Sequence, residues 1–154
     1  MYRFVRGVEP NSYIFFTDNA VVYDVFFVKV DYFYQYPIFA DNVYELVIKA
    51  PNDAPQDRLT SATIAAIFLD FIDSEDKIVI YTCDLSDKRE KARNRKFDDW
   101  FSRYNKGRFI KIGHSFEDIS TSIYTSLILD ETNPHKLQVI NAFNELITEF
   151  DNKD

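Results

Sequence analysis

The side chains of this chain best suited to chemistry are crowded into one run, Cys83 to Phe101, which reads CDLSDKREKARNRKFDDWF. Two carboxylates, Asp84 and Asp87, open it, and Lys88, Arg89, Lys91, Arg93 and Arg95 follow. Ten of the 18 Lys and Arg residues fall between Lys88 and Lys111, against only Glu90, Asp98 and Asp99, so the basic charge is segregated. The run follows an apolar strand and starts a helix, where backbone N–H groups and the helix dipole favour anions. Asp84 and Asp87 are also ordinary capping residues and would satisfy those N–H groups themselves. They could hold Mg²⁺ only if a third acid, such as Asp24 or Glu45, converged on them; two carboxylates three apart are a weak metal signal.

The helix register sharpens this. Phe97, Trp100, Phe101 and Tyr104 recur at i, i+3, i+4 and i+7 and form a core-facing stripe expected to be structural. Stepping back by fours continues the stripe through Arg93 to Arg89. An arginine in a desolvated setting needs an acceptor. Arg89 or Arg93 is therefore expected to pair with Asp84 or Asp87, or to face an anion pocket beside them. Lys88, Lys91 and Arg95 lie on another face, expected to be solvated and to form one patch with Arg103, Lys106 or Arg108.

The elements that must position this helix are predicted as follows. Ser12–Thr17, Val21–Val30, Tyr32–Phe39 and Val43–Lys49 are rich in β-formers and separated by short turns, which predicts an antiparallel meander. Pro51–Asp57 is a polar loop and the best internal boundary, although neither half is long enough to stand alone. A helix is predicted over Arg58–Ser74, with Ile64, Ile67, Phe68 and Phe71 inward and Asp57 or Thr60 as cap. The continuous apolar run at 78–81 predicts a strand covered on both faces. The basic helix spans about Asp87–Tyr104, and strands follow at Arg108–Ile112 and Ser122–Leu129. Asn133-Pro134 starts a last helix with a Leu137, Ile140, Phe143, Ile147 and Phe150 stripe. The fold class is α+β: a mainly antiparallel sheet with about three helices packed on it, in a single domain over residues 1–154.

Composition excludes several classes. The 154 residues are 46% hydrophobic and 17% aromatic, which argues for a packed core over disorder. No window approaches the roughly 20 apolar residues of a membrane span, so no membrane partner is expected. Met1–Gly7 lacks an apolar signal region. Cys83 is the only cysteine, so no internal disulfide is possible, and an inert buried thiol in a cytoplasmic protein is expected. Three glycines leave no phosphate-binding Gly-rich loop, and G-x-S-x-G and C-x-x-C are absent, so no cofactor is indicated. His114 and His135 have no partner at metal-ligand spacing and are expected to be surface or loop residues. A net charge of −7 argues against nucleic-acid binding by the whole surface.

The pattern made by Cys83, Asp84, Ser86, Asp87, Arg89, Ala92, Arg93, Arg95, Phe97, Trp100 and Phe101 resembles that of a family of short bacterial proteins of unknown function. The resemblance implies a compact bacterial cytoplasmic domain and no activity.

Three functions fit. Charge segregation without a catalytic constellation favours a binding or regulatory module over an enzyme, with the basic helix (88–96) meeting an anionic ligand, an acidic protein or, less favoured, a nucleic-acid backbone. A metal-dependent nuclease or phosphotransferase using Asp84 and Asp87 with Arg89 or Arg93 is the second. A toxin-neutralising or phage-defence accessory protein is the third. The oligomeric state is open.

Overall fold

A computed structural model describes residues 1–51, 54, 57–117 and 122–151, and all of their side chains but those of Arg89 and Tyr104. Positions 52, 53, 55 and 56 of the expected 51–57 boundary loop lie outside the described residues. Seven strands form one sheet: β1 (Phe4–Arg6), β2 (Ser12–Phe16), β3 (Val22–Lys29), β4 (Val43–Lys49), β5 (Ile78–Asp84), β6 (Phe109–Glu117) and β7 (Ser122–Asp130). The helices are α1 (Arg58–Phe71), α2 (Lys88–Tyr104) and α3 (Lys136–Asp151). The sheet order is β1-β2-β3-β4-β5-β7-β6. Every pairing is antiparallel except β4 with β5, which α1 connects as a crossover. The α+β class and the N-terminal meander are therefore as the sequence predicts.

Strand alternation sorts the side chains into two cores. Val79, Tyr81 and Cys83 of β5 join Leu46, Ile64, Phe68, Phe97 and Phe101 beneath α1 and α2. Ile78 and Ile80 join Val43, Leu127, Val139 and Phe143 beneath α3. β5 is thus covered on both faces, as its continuous apolar run requires. The stripe on α1 packs as predicted, and Asp57 caps that helix by accepting from the Thr60 N–H at 2.6 Å. At the other end of α1, the Lys77 ammonium donates to the Phe71 carbonyl at 2.9 Å.

Three predicted features differ. Tyr32–Phe39 forms turns rather than a strand. Its aromatic residues serve the core without a ladder: Phe33 and Phe39 are buried, and Tyr36 reaches across to Glu145 of α3. The α3 stripe is rotated, with Val139, Ala142, Phe143 and Ile147 inward, while Leu137 and Phe150 are exposed. Trp100 is only half-buried, because it sits where α1 and α2 meet at the surface.

Candidate functional site

α2 presents three different environments. Inward, Phe97 and Phe101 fill the core as the register predicts, and Arg93 is buried with them at 8% exposure. Tyr104 and Arg89 belong to the same predicted stripe, but their side chains lie outside the described residues. Outward, Lys88, Lys91 and Arg95 are exposed as expected. Between these faces, Lys96, Trp100 and Arg103 turn toward α1.

Arg93 does not meet the expected carboxylates. Its guanidinium carbon lies 5.9 Å from the centre of the Tyr23 ring, and its Nε has no hydrogen-bond partner. Leu46, Ile48, Ser61, Ile64, Tyr81 and Phe97 surround it, leaving a gap without room for a water molecule. Asp84 is exposed at the end of β5, where one oxygen accepts from the Ser86 N–H at 2.9 Å and from its hydroxyl at 2.5 Å. These bonds hold its carboxyl below the usual range. Asp87 is exposed as well. The strand-to-helix turn directs both acids outward, whereas Arg93 is more than a turn further along on the inner face. Among the described residues Arg93 makes no ion pair, and no anion-sized pocket adjoins it.

The sheet opens beside this arginine. β4 and β5 pair only at Val43–Ile78, Tyr44–Val79 and Glu45–Ile80. Beyond that point Leu46–Lys49 continue on β3 and Tyr81–Asp84 continue on β7, so the two parallel strands part toward their carboxyl ends. Such openings are where α/β sheets accept ligands.

A sizeable surface groove lies between α1 and α2. It holds about 410 Å³ and is lined by Arg58, Leu59, Lys96, Asp99, Trp100 and Arg103. Arg103 contacts Asp99 at 3.4 Å, an exposed pair of small energetic weight. Three cations therefore face one carboxylate around the indole. Arg58 and Lys96 were not singled out from the sequence, because the groove is made by two helices whose relative placement no local pattern encodes. Arg108, one of the cations expected in the Lys88 patch, turns instead toward Asp130 and the Ile72 carbonyl.

Three further groups sit near α2. Cys83 is buried, and its burial pushes the thiol up to about 11, as suits an inert core thiol. Lys111 of β6 points its ammonium among the rings of Phe97, Phe101 and Tyr124 and contacts Asp98. Burial pushes this ammonium down to about 8, and the nearby Cys83 opposes that shift. Tyr124 reaches Lys111 by leaning across Gly113, where any Cβ would collide with the phenol ring. His114 lies 3.2 Å from Asp151, and no three His, Cys, Asp or Glu among the described residues are placed to hold a metal ion.

A family model matches residues 56–145, from the approach to α1 into α3. The chain belongs to DUF6169, a family of unknown function. No curated protein matches it. Among solved structures, it is similar to a CoA-dependent acyl-homoserine lactone synthase, MesI, at 8% identity and a TM-score of 0.39. That likeness covers 96% of this chain and 72% of the other, and at this level it carries no chemistry across. Among the described residues no helix is long and apolar enough to cross a membrane.

Proposed function

We propose that this chain is a bacterial cytoplasmic binding protein for a small phosphate-bearing anion, held in the groove between α1 and α2. The observation that carries this reading is the convergence of Arg58, Lys96 and Arg103 around the half-buried Trp100 in a space of about 410 Å³. Guanidinium groups match phosphate oxygens in geometry as well as charge. An indole offers a face to a planar group such as a nucleobase. The exposed Lys88, Lys91 and Arg95 continue the positive field along α2 and would steer an anion toward the groove. The same field would attract an acidic protein or a nucleic-acid backbone, but a concave groove with one aromatic anchor favours a small molecule. The metal-dependent enzyme is the weaker reading, since the Asp84 carboxylate is engaged by Ser86 and no third acid joins it among the described residues.

Trp100 is the only tryptophan, so its fluorescence reports on the groove directly. Titration with ADP and with inorganic pyrophosphate should change its emission saturably, with affinity falling as salt rises. Arg58→Glu and Lys96→Glu should each weaken binding about tenfold or more, equivalent to ~1.4 kcal/mol. A combined Lys88→Glu, Lys91→Glu and Arg95→Glu change should leave the fold intact and weaken binding less, through the lost steering field. No response from Trp100, or binding indifferent to both salt and Arg58→Glu, would remove the groove from the function.

A further inference from the structure

The opposite face of the sheet carries a second concavity, larger than the first and of opposite charge. It lies between α3 and the outer parts of β4, β5, β6 and β7, and holds about 570 Å³. That volume falls within the range of small-molecule sites, roughly 300–1,000 Å³. Its floor and walls are apolar, with Ile80, Ile123, Leu146 and Ile147 from the strands and helix. Four aromatic rings ring it: Tyr32, Phe116, Phe143 and Phe150. Phe116 and Phe150 approach within 5.9 Å, and Phe150 remains exposed.

The polar groups of this groove share one sign. Among the described residues Glu45, Glu117 and Asp151 line it, and neither lysine nor arginine does. Glu45 accepts one hydrogen bond, from the Tyr32 hydroxyl at 2.9 Å, and that bond fixes its carboxylate at the rim. Asp151 faces His114, whose Nε2 lies 3.2 Å from its carboxylate. Thr82 and Thr125 hydrogen-bond to one another at 3.0 Å across β5 and β7 and so present little unsatisfied polarity. An apolar body would be covered by the walls, while a negative ligand would meet three carboxylates and, among the described lining residues, no lysine or arginine. Aromatic faces and carboxylates together are the chemistry that recognises an organic ammonium ion.

We infer that the groove under α3 is a binding site for a small organic ammonium compound with an apolar body, its charge directed to Glu45 and Asp151 and its body to the phenylalanine rings. This site is independent of the α1–α2 groove, and its occupant is opposite in charge.

Three matched probes test it by calorimetry and by amide chemical shifts: 2-phenylethylamine, 2-phenylethanol and 3-phenylpropanoate at neutral pH. The ammonium should bind about tenfold tighter than the alcohol, a difference of ~1.4 kcal/mol, and the carboxylate should bind weakest. Shifts should map to β7 and α3. Glu45→Gln and Asp151→Asn should each lower the ammonium affinity several-fold while leaving the alcohol unchanged. Asp151 is exposed near the end of α3, so Asp151→Asn keeps the test available even if Glu45→Gln folds poorly. Arg58→Glu should not affect the ammonium, which separates this site from the proposed anion groove. Equal or tighter binding of 3-phenylpropanoate, no binding by any probe, or ammonium binding unmoved by both carboxylate changes would overturn the assignment.

Discussion

The two faces of this sheet are built from the same strands and carry opposite chemistry. Under α1 and α2 the core encloses a guanidinium and an ammonium, Arg93 and Lys111, and the surface groove above is basic. Under α3, among the described residues, the core encloses no charged group, and the groove beside it is rimmed by carboxylates. The segregation of charge along the chain thus becomes a segregation across the sheet, because the basic window consists of α2 and the start of β6. A net charge of −7 conceals this polarity. The difference also means that the two faces should respond differently to substitution.

The largest effects should come from the aromatic anchors of each core. Phe97→Ala on the α2 face and Phe143→Ala on the α3 face should each cost about 3–5 kcal/mol in denaturant unfolding, since both rings are buried. Trp100→Ala should cost less, about 1–2 kcal/mol, because part of the indole faces the groove. If Trp100→Ala matches Phe97→Ala, the indole belongs to the core and the groove lacks its aromatic wall.

Arg93 provides a sharper contrast, because among the described residues the α3 core contains no counterpart. A cation buried without a carboxylate partner among the described residues bears a desolvation cost that its approach to the Tyr23 ring offsets only in part. Arg93→Met keeps an apolar stem at this buried position and removes the charge that faces Tyr23. It should therefore stabilise the fold by about 1–2 kcal/mol. Thermal melts measure this directly. Destabilisation by Arg93→Met would show that the guanidinium has a stabilising partner, as the sequence led one to expect.

How much of this was legible in the sequence depends on the range of the interactions involved. α1, α2, β4 and β5 follow from local periodicity, and the inward position of Arg93 follows from its spacing to Phe97. The short β1 carries too few residues for a pattern. Tyr32–Phe39 reads as a strand because its aromatic residues have β propensity, yet it forms turns in which Phe33 and Phe39 are buried beside α3 while Tyr32 and Tyr34 stay exposed. Propensity there reports burial rather than a ladder. The partners of Arg93 could not be found locally, since the ring it faces comes from β3 and the walls of its gap come from β4, β5 and α1. Both grooves were likewise invisible, because each requires elements distant in the chain: Arg58 with Lys96 in one, Glu45 with Asp151 in the other.

The smallest predicted effect separates the faces by pH. α1 begins at Asp57, whose carboxylate accepts from the Thr60 N–H and from the Tyr2 hydroxyl at 2.8 Å. The turn leading into α3 instead uses Asn133, whose amide oxygen accepts from the His135 N–H at 2.8 Å and carries no charge. Burial raises the Asp57 carboxyl, but the bonds from Thr60 and Tyr2, with Lys96 nearby, outweigh it and hold the group below its ordinary value. A carboxyl depressed in the folded state contributes stability that is present above its unfolded value of about 3.9. That contribution is lost as pH falls through the lower folded value. Asp57→Ala should therefore cost about 1 kcal/mol at neutral pH, the usual weight of an N-cap, and the gap from the parent should shrink in acid. Asp57→Asn should retain most of the cap at neutral pH and remove this part of the acid dependence. Asn133→Ala on the opposite face should cost a similar amount with no such dependence. Paired denaturant titrations at pH 7 and near pH 3 measure all three. If the Asp57→Ala deficit persists undiminished at the lower pH, the carboxylate charge has no part in starting α1, and the two helix starts differ only in composition.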